Sequence, residues 1–208
     1  KKNIHKHYDL GNDFFESFLD PSMLYSCAIY PKANSTLSDA QQYKMKQIIS
    51  KLDIKPGMNV LEIGSGWGSM AIEIAKQTDS KVTTVTISKE QFNYVKQRIE
   101  SLNLTDRINV LFQDYRFIKG EFDRVVSIEM IEAVGHKYLP VYFNKINTLL
   151  NKTGKALIQA ITIRDDVYND YKSNSDWIRK YIFPGGHLPS VGHIKSLLEN
   201  IASEQRWL

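Results

Sequence analysis

The sequence is poor in cysteine, in long apolar runs and in charge of one sign, and each shortage narrows what the chain can be. A single cysteine, Cys27, in 208 residues excludes an internal disulfide framework, a cysteine-rich zinc site and a Cys-X-X-Cys redox pair. No apolar stretch approaches the roughly 18 residues that span a bilayer, and no secretory leader opens the chain. A soluble, reducing, cytoplasmic setting is therefore expected. Lys and Arg number 27 against 23 Asp and Glu, and the formal charge of +4 is too mild to single out nucleic acid or an anionic membrane as a partner. The basic opening Lys1-Lys2-Asn3-Ile4-His5-Lys6-His7 reads as a solvated terminus. Internal repeats and low-complexity segments are missing, and so is an initiating methionine, as expected of a piece of something longer. The histidines (His5, His7, His136, His187 and His193) show no metal-ligand constellation, so no metal is expected.

What remains is ordinary globular chemistry. At 42% hydrophobic and 24% charged residues the chain is neither disordered nor collagen-like. Its length suits one large domain, or one domain with a short appendage, at roughly 150 residues per domain. Residues 13–19 read as a short helix after Gly11-Asn12, and 20–35 as a loop carrying Pro21 and Pro31. Met45, Ile48, Ile49 and Leu52 keep the spacing of an amphipathic helix, and Lys55-Pro56-Gly57 is a turn. Strands are expected at 60–63, 81–87, 110–112, 124–128 and 156–163. Helices are expected at 70–76, from Ser88 with Glu90 and Gln91 in its first turn, at 138–150 and at 190–201. Alternation of this kind means an α/β fold with a mostly parallel sheet flanked by helices. Arg206-Trp207-Leu208 reads as the start of a sixth strand, so the C-terminal strands of the sheet are expected to be missing.

The sharpest local signal is Glu62-Ile63-Gly64-Ser65-Gly66-Trp67-Gly68, between an apolar strand and a helix. Glycines there let the backbone turn tightly and approach a ligand, while the helix N-terminus behind them favours an anionic group. A dinucleotide would want Gly-X-Gly-X-X-Gly and an acid at the tip of the second strand, which instead ends Thr86-Ile87-Ser88. A phosphate-binding loop ending Gly-Lys-Ser/Thr is absent. Glu62 two residues before the first glycine is the form that resembles class I S-adenosylmethionine (SAM) methyltransferases. A ligand-free glycine turn is the alternative. Gln113-Asp114-Tyr115-Arg116 follows the third strand, where Asp114 could accept from an adenine amino group and Tyr115 could stack.

Further motifs occur in order: His7-Tyr8-Asp9-Leu10-Gly11-Asn12-Asp13-Phe14-Phe15, Tyr25-Ser26-Cys27, the glycine loop, Thr86-Ile87-Ser88-Lys89-Glu90-Gln91 and Gln113-Asp114-Tyr115-Arg116. Glu132-Ala133-Val134-Gly135-His136 and Tyr181-Ile182-Phe183-Pro184-Gly185-Gly186-His187-Leu188-Pro189-Ser190 complete the set. Together they resemble the cyclopropane-fatty-acyl-phospholipid synthase and mycolic acid methyltransferase family. The resemblance implies a Rossmann-like class I fold, with 1–55 as an N-terminal helical cap and 56–208 as the SAM-binding core. It implies methyl transfer from SAM to the cis double bond of an unsaturated phospholipid acyl chain, giving a cyclopropane. Tyr25, Ser26, Glu62, Gly64, Ser65, Gly66, Trp67, Gly68, Thr86, Ile87, Ser88, Gln91, Asp114, Tyr115 and Arg116 would hold SAM. A bicarbonate ion acting as base would lie near Cys27, Glu132 and Ile161. Gln159 stands where bacterial members commonly carry His; it donates a hydrogen bond but carries neither charge nor a proton. That departure admits a relative that leaves a methyl branch instead of a ring. The family's late active-site Tyr would fall beyond Leu208, and the separate N-terminal domain of many members is expected to be missing from this stretch. The implied partners are unsaturated phospholipid and an anionic membrane surface at the inner face of the membrane, with a homodimer admitted and no nucleic acid.

The chemistry sets its own demands. Methylating an alkene leaves a carbocation, which electron-rich rings stabilise by about 0.5–2 kcal/mol each. Tyr25, Tyr30 and Tyr181 are candidates, although Tyr30 and Tyr181 read more readily as core. Ring closure needs a base, and Glu132 could serve directly or by orienting bicarbonate. Cys27 is expected to contribute backbone and shape rather than a thiolate. Trp177, Ile178, Tyr181, Ile182 and Phe183, with Phe14, Phe15 and Phe18, would line an acyl channel or simply form core. Two rivals stay open: a SAM methyltransferase acting on an amine, hydroxyl or base, and a truncated SAM binder without activity. No Asn/Asp-Pro-Pro-Tyr/Phe motif occurs, and the basic residues are dispersed, which weighs against nucleic acid.

Overall fold

In the computed structural model, which describes residues 12–202, five strands form one parallel sheet. The strands are β1 (Asn59–Ile63), β2 (Lys81–Thr86), β3 (Ile108–Phe112), β4 (Phe122–Ile128) and β5 (Leu150–Gln159), in the order β3-β2-β1-β4-β5. The helices are α1 (Asn12–Glu16), α2 (Leu37–Leu52), α3 (Ser69–Thr78), α4 (Lys89–Ser101), α5 (Leu139–Leu149), α6 (Tyr168–Ser173) and α7 (Val191–Ala202). A π-helical turn, Ile178–Ile182, follows α6. The sequence left α6 and this turn unassigned, for their polar composition and the exposed aromatics give no buried stripe to read. The expected strand at 206–208 and the motif residues before Asn12 lie outside the described residues.

Successive residues of a strand face opposite sides, and here both sides are covered. Val60, Val82, Ile108 and Val126 point to one core, filled by Met45, Ile48 and Leu52 of α2 and by Met70, Ile74 and Val95. Leu61, Ile63, Val85 and Val125 point to the other, filled by Tyr142, Phe143 and Ile146 of α5 and by Ile201 of α7. This is why apolar residues stand side by side at Val60-Leu61 in β1 and Val125-Val126 in β4. The sequence groups α2 with an N-terminal cap, yet it packs into the same core as the sheet. Arg124 at the start of β4 fixes its end: the buried guanidinium donates to the carbonyls of Leu52, Asp53 and Asp123. A cation against the last carbonyls of a helix is favourable there.

Several expected boundaries move for identifiable reasons. β5 starts at Leu150 rather than 156, because the Asn151-Lys152-Thr153-Gly154 segment bulges out of a continuing strand: Phe122 pairs with Leu150, but Arg124 already pairs with Lys155. Asn151 donates to Asp123 Oδ1 at 2.6 Å, holding the bulge against β4. The strand ends at Gln159 rather than 163, since the Ile161 N–H turns to a side chain, Glu132 Oε1. Ile163 then forms only an isolated bridge with Ser190. Ser88 and Ser190 cap α4 and α7 as expected, accepting from the Gln91 and His193 N–H groups.

Gly68 opens α3 at φ +89°, and a Cβ there would stand 2.9 Å from Val95 Cγ1. A left-handed non-glycine residue costs roughly 1–2 kcal/mol and overpacking about 1–3 kcal/mol more. Gly68→Ala is therefore expected to destabilise the fold by about 2–5 kcal/mol in urea unfolding. A change under about 0.5 kcal/mol would mean that Val95 can swing away and the turn tolerates the strain.

Candidate active site

The strand order reverses between β1 and β4, so the loops leaving their C-terminal ends diverge and open a crevice. A cavity of about 390 Å³ occupies it. Tyr25, Ser26, Glu62, Gly64, Ser65, Gly66, Trp67, Thr86, Ile87, Gln91, Asp114, Tyr115 and Arg116 all line it, so residues as far apart as Tyr25 and Arg116 meet at one surface. Gly68 and Ser88 stand behind its wall, where Gly68 opens α3 and Ser88 caps α4. Met130 and Tyr138, not singled out in the sequence, also line it, as does Val134 of the Glu132–His136 motif.

The glycine loop turns because Gly64 (φ +97°) and Gly66 (φ +48°) adopt left-handed backbone. The N–H groups of Gly64 and Ser65 both donate to Val85 O, at 3.1 and 2.9 Å. A Cβ on Gly66 would meet no protein atom, so the glycine keeps space open on the cavity side. Glu62 is buried, its Oε2 accepting from Thr84 Oγ1 at 2.5 Å, and burial pushes its pKa up to about 8. Asp114 is buried and clamped by Arg116, at 3.0 and 2.6 Å. Trp67 donates to Asn12 Oδ1 at 2.9 Å and packs on Phe15, with ring centroids 4.7 Å apart. Of the expected channel aromatics Phe15 is core, whereas Phe14, Phe18, Trp177, Ile178, Tyr181, Ile182 and Phe183 are exposed. Tyr30 and Tyr181 are exposed too (54% and 59%), contrary to the core reading, since both sit on segments that nothing covers in the described chain.

Beyond Glu62 and Gly64 the cavity meets a polar cluster. α2 reaches over with Lys44 and Gln41, one turn apart on the face that carries Met45 and Ile48. Lys44 Nζ donates to Ser26 Oγ at 2.6 Å and Cys27 O at 2.9 Å, and Gln41 donates to Leu24 O and Ser26 O. The Lys44 ammonium is fully buried, and burial lowers its pKa to about 8 against the opposing pull of Glu129, Cys27 and Asp20. Periodicity alone marks this helix face as apolar, so neither polar residue was legible as a tether.

Glu129 is the residue the sequence reading missed. It lines the cavity at φ +47°, and its Oε1 accepts from the Cys27 N–H and from Gln159 Nε2, each at 2.8 Å. Its own N–H donates to Gln159 O at 2.8 Å. Gln159 Nε2 also reaches Cys27 O at 3.2 Å. Glu132 accepts from the Ile161 N–H through Oε1 at 2.6 Å, while its Oε2 is buried without a partner and burial raises its pKa. The His187 N–H donates to Glu132 O at 2.8 Å. Glu129, above all, raises the Cys27 thiol pKa, and it is the Cys27 backbone N–H that donates to Glu129. The legible signal was Ser127-Ile128-Glu129-Met130-Ile131-Glu132: two carboxylates three residues apart just past the tip of a strand.

For Glu62 the sign of the pH dependence follows from its raised pKa. In the empty protein the stability tied to its neutral form is fully present below the unfolded value, near 4.3, and is lost as pH rises toward about 8. Glu62→Gln removes that loss. The stability difference between variant and wild type should widen in the variant's favour from pH 5 to 8 and then level off. Parallel urea-midpoint curves across that range would place the carboxylate in contact with water.

The family model of mycolic acid cyclopropane synthetase matches residues 1–204. The cyclopropane-fatty-acyl-phospholipid synthase of Escherichia coli K12 is 46% identical over 189 residues, 91% of this chain and 47% of that protein. The tuberculostearic acid methyltransferase of Mycobacterium tuberculosis is 40% identical over 198 residues, 92% of this chain and 46% of that protein. The chain thus spans about half the length of these curated relatives. Among solved structures, a cyclopropane synthase from Mycobacterium tuberculosis superposes with a TM-score of 0.87 at 29% identity, covering 96% of this chain and 73% of that one. A mycolic acid cyclopropane synthase complexed with SAH and CTAB gives 0.88 at 31% identity, with the same coverage. On this match, with its fold and its glycine-loop crevice, the chain belongs to the mycolic acid cyclopropane synthetase family.

Proposed function

We propose that this chain is the core of a SAM-dependent enzyme that methylates the cis double bond of an unsaturated phospholipid acyl chain and closes a cyclopropane. The observation that carries the reading is the joining of a glycine-loop cavity to a half-buried pair of carboxylates, Glu129 and Glu132, just past the end of β4. The residues around the cavity suit SAM. Glu62 is a buried acceptor for a vicinal hydroxyl, and Gly66 leaves room for close approach of the backbone. Tyr115 offers a ring face beside Asp114. When bound, SAM supplies an electrophilic methyl group.

The chain's own residues meet the remaining needs. Tyr25 lies within the electrostatic reach of Glu129 and presents an electron-rich ring at the cavity, suited to a developing cation. Lys44 and Gln41 hold residues 24–27 as the wall that separates cavity from water, so the N-terminal segment through residue 55 serves as its cap. Water exclusion matters because a carbocation would otherwise be quenched. The proton leaving the added methyl needs a carboxylate within this pair. The donors implied for bicarbonate do not fit a further anion as they stand. The Cys27 N–H and Gln159 Nε2 are given to Glu129, the Ile161 N–H to Glu132, and a third negative charge would lie beside two carboxylates.

An exposed apolar patch supports the lipid as acceptor and a membrane surface as partner. Trp177 (65%), Ile178, Tyr181, Ile182 and Phe183 project from and beside the π-helical turn, with Lys180 Nζ 5.2 Å from the Tyr181 ring centroid. Exposed aromatics edged by a lysine suit the interface of an anionic bilayer. No helix among the described residues is long and apolar enough to cross a membrane. Contact would thus be peripheral, at the inner face.

Incubation with methyl-labelled SAM and vesicles of cis-unsaturated phospholipid tests the reading. Mass analysis should show acyl chains heavier by CH₂ with the double bond gone. The same gain with an alkene retained would mean a methyl or methylene branch, and label in an amine or in RNA would move the acceptor elsewhere. Gly66→Val meets no protein atom at its Cβ but strains a backbone at φ +48°, so with the fold checked by circular dichroism its SAM affinity is expected to fall at least tenfold by calorimetry. Unchanged affinity would refute the placement of SAM over the loop.

A further inference from the structure

We propose that Glu129 is the proton acceptor of ring closure, its carboxylate standing where a bound anion would otherwise serve as base. The proposal rests on the lipid-methylation reading above and names the group on which that reaction turns.

Three observations carry it. The first is placement: of the two carboxylates past the tip of β4, only Glu129 lines the cavity that the glycine loop bounds. Glu132 stands behind it, one oxygen on the Ile161 N–H and the other buried without a partner. The second is how Glu129 is held. Both donors to Oε1, the Cys27 amide and the Gln159 carboxamide, are neutral groups that orient a carboxylate and cannot give it a proton. An imidazole at position 159 would be able to do so; glutamine removes that competition, and the Glu129–Gln159 pair is a matched set. The third is backbone strain. A glutamate at φ +47° is unfavourable on its own, and here it is retained by the Glu129 N–H bond to Gln159 O at 2.8 Å. The tethers from Lys44 to Ser26 and Cys27 hold the opposite wall, so the carboxylate is fixed from both sides.

The step balances without a further reactant. The methyl carbon bonds to one alkene carbon as its bond to the sulfonium sulfur breaks, leaving S-adenosylhomocysteine and a cation on the other alkene carbon. A C–H bond of the new methyl then breaks. Its proton goes to Glu129, its electron pair forms the third side of the ring, and Glu129 returns the proton to water afterwards.

The test compares wild type, Glu129→Gln and Glu129→Gly in buffer freed of carbon dioxide and in buffer with millimolar bicarbonate, using labelled SAM and cis-unsaturated vesicles. Wild type is expected to form labelled ring product at the same rate, within twofold, in both buffers. Glu129→Gln should lose at least a hundredfold in product formation, the scale of a lost general base, while its SAM affinity stays within threefold. Glu129→Gly, which suits the left-handed backbone and frees the Cys27 and Gln159 donors, should be inactive without bicarbonate and recover at least tenfold with it. Carbon-13 bicarbonate should show saturable line broadening with Glu129→Gly and none with wild type. A wild type that labels lipid but falls tenfold or more without bicarbonate overturns the assignment alone, as does Glu129→Gln at more than a tenth of wild-type rate. A wild type that labels no lipid in either buffer overturns the functional reading and this assignment with it.

Discussion

Strand order β3-β2-β1-β4-β5 makes the chain grow the sheet outward from β1 in one direction and then return to its other edge. The loops leaving β1 and β4 must therefore part, and the crevice between them is a consequence of topology before any side chain is considered. The expected site residues gather there. The glycine loop follows β1, the Asp114-Tyr115 segment follows β3, and the two carboxylates follow β4. Because both faces of the sheet are sealed by apolar cores, the strand ends are rigid mounts, and side chains on the loops inherit that rigidity.

The polar groups at this edge are held at a cost that the apolar cores offset. Lys44, Glu62 and Glu132 are buried or largely buried, and desolvation moves each toward its neutral form. None is idle. Lys44 pins residues 26 and 27, Glu62 leans on Thr84, and Glu132 stops β5 by taking the Ile161 N–H. Buried groups of this kind contribute little net stability; they fix one arrangement among several and leave acceptors waiting for a ligand.

Carboxylates in adjacent turns raise the question of what keeps their roles apart. Glu129 and Glu132 differ in partners rather than in type. One accepts from two neutral amides at the cavity wall, and the other braces the backbone behind it. The exposed aromatics of the π-helical turn lie outside this cluster, so capture of a lipid and chemistry on it would fall to different parts of the chain.

Much of this was legible from residue order. The alternation of apolar runs with helix signals set five parallel strands, and the glycine loop after β1 marked the cavity wall, because both depend on local periodicity and backbone freedom. Boundaries failed where side chains override the local signal, as at the Asn151 bulge and at Ile161, whose amide goes to Glu132. Tyr30 and Tyr181 read as core since aromatic character carries no information about what covers a ring. The partners of Glu129, Lys44 and Gln41 were invisible for a common reason. Their hydrogen bonds span 15 to 102 residues of chain, and bonds across such separations leave no periodic trace. Residue order alone thus determined the sheet, the turn that opens the cleft and the family; only the folded chain decided which carboxylate faces the cleft, since facing depends on the angle at which two distant backbones meet.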